Sequence, residues 1–134
     1  MVDWNEFADH YIEKLRGPDS DDARHSLIEA DDVIVPILID AFRDEQDPAI
    51  RSQLTVIVWQ HRLPETTKFL SEALDDPAPE VWKNALDGLV ALGGQSATQV
   101  LQAARQRSSG GNREKRVQAK WIDEAIQQVE EKGT

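Results

Sequence analysis

Apolar residues recur at spacings of three and four along almost the whole chain, beginning with Trp4, Phe7, Ala8, Tyr11, Ile12 and Leu15. That spacing puts all six on one stripe of a helix, with Asn5, Glu6, Asp9, His10, Glu13 and Lys14 between them. Gly17-Pro18 ends the segment, because Gly suits the residue after a helix and Pro cannot continue one. Asp19-Ser20-Asp21-Asp22 then offers a cap and first-turn acids to a short helix through Ala23, Leu27 and Ile28. A third helix is predicted over about 33–43, with Pro36 tolerated in its first turn. Asp47-Pro48 is a strong start signal for a fourth, which carries Ile50, Leu54, Ile57 and Val58. After the break at Leu63-Pro64, Phe69, Leu70, Ala73 and Leu74 mark a fifth helix, and Asp76-Pro77 repeats the start signal. Val81, Ala85, Leu86, Leu89 and Leu92 form the sixth stripe, which Gly93-Gly94 stops. Val100, Leu101 and Ala104 belong to a seventh helix. Beyond the Ser108-Ser109-Gly110-Gly111-Asn112 loop, Val117, Trp121, Ile122, Ala125, Ile126 and Val129 belong to an eighth.

The segments repeat. Asp47-Pro48-Ala49-Ile50-Arg51 answers Asp76-Pro77-Ala78-Pro79-Glu80-Val81-Trp82, and Leu38 and Phe42 before the first motif answer Leu70 and Leu74 before the second. Counting on from Ile50, Val81 and Val117, the fourth residue is Leu54, Ala85 and Trp121, and the ninth is Trp59, Val90 and Ile126. A period of about 31 residues with two helices per unit is the mark of a solenoid, in which each pair leaves apolar surface that only a neighbour covers. The expected fold is all-α, an α-α superhelix of about four antiparallel helix pairs filling one repeat domain over 1–134. The amphipathic first helix and polar last residues fit a self-contained array.

Three runs carry a resemblance: Ala23-Arg24 through Leu27-Ile28, Val35-Pro36-Ile37-Leu38 to Phe42-Arg43-Asp44, and Pro48-Ala49-Ile50-Arg51. Phe69-Leu70-Ser71-Glu72-Ala73-Leu74-Asp75-Asp76, then Val81 and Ala91-Leu92-Gly93, give it again. The chain resembles the HEAT and phycobilisome-lyase-type repeat family over about residues 20–107. Trp82 departs from the pattern, which expects Arg there as at Arg51. The resemblance implies a fold and not an activity. Members include metal hydroxylases with paired His-Glu motifs, DNA glycosylases with a strongly basic concave face, bilin lyases, and small acidic immunity proteins that neutralise basic toxins. In such repeats the second helix of each pair lines the concave face.

Charge narrows these. The net charge is −10, and residues 1–32 hold ten acids against three bases, whereas residues 81–134 hold six against eight. A long acidic face repels a phosphate backbone and favours a basic partner. No Cys is present, which removes disulfides, thiolate nucleophiles and Cys-based metal sites. No apolar run reaches membrane-spanning length, and the acidic start is unlike a signal peptide, so a cytoplasmic location is the default. His10, His25 and His61 have no partner at ligand spacing, so no metal or other cofactor is expected. Asp19-Ser20-Asp21-Asp22 and Asp31-Asp32 lack the turn Gly and downstream Glu of a calcium loop and read as helix caps. Gly110-Gly111 follows no strand and lacks the Lys and Ser or Thr of a phosphate loop. No nucleophile, base and orienting group can be assembled, which leaves a non-catalytic protein.

Helical geometry points His25, Ser26, Glu29, Ser52, Gln53, Gln60, Lys83, Asn84, Asp87, Lys120 and Asp123 away from the core, a polar strip of mixed sign suited to protein recognition. Trp82 joins them as an aromatic of the kind enriched at binding hot spots, with burial on a wide apolar stripe as the alternative. Trp4 and Trp121 are expected in the core, and Trp59 between repeats. The expected function is an adaptor or an immunity-type inhibitor binding a basic protein. The alternatives are bilin-lyase-like ligand handling, and nucleic-acid binding through Arg105, Arg107, Arg113, Lys115, Arg116 and Lys120.

Overall fold

The computed structural model describes residues 1–132, so the last two positions of the expected 1–134 domain lie outside it. Among the described residues there are eight α-helices and no strand: α1 (Trp4–Lys14), α2 (Ser20–Glu29), α3 (Val35–Asp44), α4 (Pro48–Gln60), α5 (Thr67–Leu74), α6 (Pro79–Leu92), α7 (Gly94–Arg107) and α8 (Arg113–Lys132). Consecutive helices pair, α1 with α2 through α7 with α8. The second helices α2, α4, α6 and α8 pack in series. Among the first helices α1 meets α3 and α5 meets α7, while Phe42 on α3 and Phe69 on α5 join edge to face, centroids 4.9 Å apart. This is the short α-α superhelix that the repeats predict.

Local chemistry explains where the helices begin. Asp47 caps α4, its carboxylate accepting from the Ala49 N–H at 2.9 Å, and Pro48 takes the first helical position. Asp76 does the same for the Ala78 N–H at 2.9 Å, but α6 begins only at Pro79. The cause is the second proline. A residue before Pro is driven out of the helical region, and Ala78 is extended (φ −86°, ψ 122°). Asp31 accepts from the Val33 N–H, and the chain makes a single 3₁₀ turn over Asp32–Ile34 before α3, so that helix starts later than the pattern suggests. Asp19 precedes α2 without a side-chain cap.

One continuous core runs the length of the stack, with Leu27, Leu38, Leu54, Leu70, Leu89, Leu101 and Ile122 fully enclosed. Each such side chain contributes roughly 1.5–3 kcal/mol by burial. The eighth helix corrects the expected alignment. Val117 and Trp121 are 45% and 42% exposed, and Gln118, Ala119, Ile122, Ala125 and Val129 face inward instead. The equivalent of Ile50 and Val81 is therefore Gln118, one residue on. Its amide Nε2 donates to the Leu74 carbonyl at the end of α5 at 2.7 Å, so a polar residue is satisfied at a buried position. Trp4 is half-buried and packs edge-on against Phe7.

Polar groups stitch the pairs together. Arg51 on α4 pairs with Asp76 at 2.8 Å and donates to the Glu45 and Gln46 carbonyls at 3.0 and 2.9 Å, tying two inter-helix loops to one guanidinium. Along one rim Arg16 pairs with Glu45, Arg43 with Glu72 at 2.9 Å, and Arg107 with Asp75 at 3.4 Å. The first two pairs each span 29 residues, one repeat. Between α4 and α6, Gly88 makes room for Trp59: a Cβ there would lie 2.7 Å from the indole Cγ.

Candidate protein-interaction surface

The buried anchors Ala23 and Leu27, Ile50 and Leu54, Val81 and Ala85, and Gln118 and Ile122 set equivalent positions on the four second helices. Two residues after the first anchor stand His25, Ser52, Lys83 and Lys120. Next come Ser26, Gln53, Asn84 and Trp121, and three residues further Glu29, Val56, Asp87 and Glu124. Of the expected strip, His25, Glu29, Asp87, Lys120 and Asp123 are exposed, and Ser26, Gln53, Gln60, Lys83 and Asn84 are half-buried.

Three expectations change. Ser52 is interior, its hydroxyl donating to the Glu80 carbonyl at 3.3 Å and accepting from Asn84 Nδ2, so it joins α4 to α6 rather than facing outward. Trp82 is only 7% exposed and belongs to the core, because α8 packs over it. Asp123 turns toward α7, where Arg105 Nε holds it at 2.8 Å. Trp121 enters the strip in their place, in line with Gln53 and Asn84, and Glu124 follows it. The one-residue shift of α8 is what puts them there, and it leaves Gln118 at the buried anchor position.

Trp82 and Trp121 meet edge to face, centroids 6.2 Å apart at 75°. The Lys83 ammonium lies 4.6 Å from the Trp121 ring centre and 5.7 Å from that of Trp82. Such cation–π contacts contribute roughly 0.5–2 kcal/mol each and hold the exposed indole in place. One turn along α6, partial burial raises the pKa of the Asp87 carboxyl above the ordinary aspartate value.

The histidines stand apart. His61 is enclosed, one ring nitrogen 2.8 Å from Asp32 Oδ1 and the other 2.9 Å from the Leu27 carbonyl, which fastens the end of α4 to the end of α2. His10 and His25 are exposed. Among the described residues no three His, Asp or Glu side chains gather as a metal site would require, and no helix is long and apolar enough to cross a membrane.

The late basic residues do not form one patch. Arg105 and Arg107 are engaged by Asp123 and Asp75. Arg105, Arg116 and Lys120 border a hollow beside Ser108, whereas Arg113 and Lys115 border a different one between α6 and α8.

A family model for HEAT repeats matches residues 35–119, from α3 to the second turn of α8. No curated protein and no solved structure matches the chain. The matched span covers well over half the sequence and contains the α3–α4 and α5–α6 pairs whose motifs repeat. The chain belongs to the HEAT repeat family.

Proposed function

We propose that this chain is a non-catalytic adaptor or inhibitor that binds a basic protein partner along the outward strip of its second helices. HEAT repeats are in general protein-interaction and scaffold modules. The observation that carries the reading is Trp121, 42% exposed in line with Ser26, Gln53 and Asn84 and braced by Trp82 and Lys83. A pre-positioned, half-exposed tryptophan is the kind of residue that dominates interface energetics. The sign of the partner is argued from the ten acids and three bases of residues 1–32, the segment that contributes His25, Ser26 and Glu29 to the strip.

Affinity capture with the wild type, Trp121→Ala and Glu29→Lys as baits tests it. A basic protein held by the wild type, depleted on both variants and released by salt is the expected result. Equal capture by all three baits rejects the strip. Stoichiometric addition to the captured partner then separates the two roles: an inhibitor silences its activity and an adaptor does not.

A further inference from the structure

A cleft of about 670 Å³ lies between the α5–α6 loop and the first turns of α8. Trp82, Val117, Pro77 and Pro79 give it an apolar lining, and Lys83, Arg113 and Lys115 stand around it. Its acids are mostly answered from within the protein: Arg107 holds Asp75 at 3.4 Å and Arg51 holds Asp76 at 2.8 Å. Lys83, Arg113 and Lys115 have no carboxylate within ion-pair distance among the described residues, against Glu114 as an acid with no cation. A protein of net charge −10 thus keeps an electropositive mouth over an apolar floor. The exposed sides of Val117 and Trp121 extend that floor along α8.

We infer that this cleft docks a short acidic segment of a protein partner. Its carboxylates meet Lys83, Arg113 and Lys115, and an adjacent proline, leucine or aromatic side chain sits against Trp82 and Val117. The volume suits a few side chains rather than a folded surface, being in the range of ordinary ligand pockets. Unpaired cations beside apolar surface recognise a carboxylate next to an apolar anchor, and neither feature alone would select both. A nucleic acid fits less well. Trp82 meets Trp121 by its edge and Lys83 covers the Trp121 ring, so no bare indole pair is offered to stacked bases, and the overall charge repels a phosphate chain. The inference rests on the protein-interaction reading and meets the strip at Lys83 and Trp121, while Pro77, Pro79, Arg113, Lys115 and Val117 lie outside it.

Selection of a random displayed peptide library on the full chain is the test. The expected consensus combines Asp or Glu with an adjacent apolar residue. A fluorescein-labelled consensus peptide, followed by anisotropy, should lose about tenfold or more in affinity to Lys83→Glu/Lys115→Glu and several-fold to Val117→Ser. Lys115 and Val117 lie at the surface and Lys83 is half-buried, and an unchanged far-ultraviolet circular dichroism spectrum confirms the fold of each variant. No consensus, a consensus lacking either acids or apolar residues, or unaltered affinity in the variants overturns the inference. Oligothymidylate binding that displaces the peptide also overturns it, in favour of nucleic acid. If capture that depends on Glu29, on α2 and outside the cleft, succeeds while peptide selection fails, the cleft falls and the strip stands. Failure of both removes the interaction reading itself.

Discussion

Two tryptophans in contact have opposite roles, and stability measurements can separate them. Trp82 is enclosed, so Trp82→Ala should cost about 3–5 kcal/mol in urea unfolding. Trp121→Ala, at a largely open position, should cost less than about 1 kcal/mol while abolishing partner capture. The sequence suggests the reverse for Trp121, because Val117, Trp121 and Ala125 have helical spacing. Gln118, Ile122, Ala125 and Val129 have it equally, and the choice turns on a tertiary hydrogen bond from Gln118 to Leu74 that no local pattern encodes. Acid behaviour also belongs to single residues. Hydrogen bonding from Arg16 lowers the pKa of Glu45, so its contribution is present above the ordinary glutamate value and disappears as pH falls through the folded-state one. Arg16 is partly exposed, which limits that contribution to about 1 kcal/mol or less. Glu45→Gln should therefore flatten the acid limb of a stability–pH curve. Asp87 has the opposite sign. Its pKa is raised by partial desolvation, so its unfavourable effect at neutral pH is relieved as pH falls through that raised value; solvent at this exposed position keeps the effect small, and Asp87→Asn should stabilise the protein only slightly at pH 7.

The contact between α4 and α6 depends on a missing side chain. Gly88→Ala would gain about 1 kcal/mol of helix propensity on an open surface. Here the new methyl meets Trp59 Cγ at 2.7 Å, and the expected net result is a loss of about 1–3 kcal/mol, read as a lower urea midpoint. Trp59→Ala in the same chain should remove that sensitivity, since the two positions share one space. The existence of the helices, their pairing and the start of α4 at Asp47-Pro48 were all legible, because apolar spacing and capping act within a few residues. The start of α6 was displaced by two residues, since Pro79 constrains Ala78 more strongly than Asp76 can cap it. The strip followed the same division. His25, Ser26 and Glu29 on α2 and Lys83, Asn84 and Asp87 on α6 could be read from the stripe opposite, whereas Trp82 is covered by α8 and Ser52 and Asp123 found partners on other helices.

At the scale of the molecule, polar ties connect each repeat to the next, and among the described residues the Arg51–Asp76 pair is the most enclosed of the salt bridges, with side-chain exposures of 15% and 7%. Removing one partner leaves the other charge buried, and Arg51→Ala should cost about 3 kcal/mol, far more than Arg43→Ala on the open rim. Amide hydrogen exchange should reveal the same hierarchy: α4 and α6, covered on both sides, are expected to exchange more slowly than α1 and α8. Because the helix pairs follow one another in space as they do in the chain, the acid-rich first helices and the mildly basic last ones lie at opposite ends of the stack. That gradient gives the polypeptide a permanent electric dipole with a component along the stack. In dilute salt, where screening extends to tens of ångströms, that moment turns an approaching charged protein before contact is made, and transient electric birefringence would detect it as field-induced alignment.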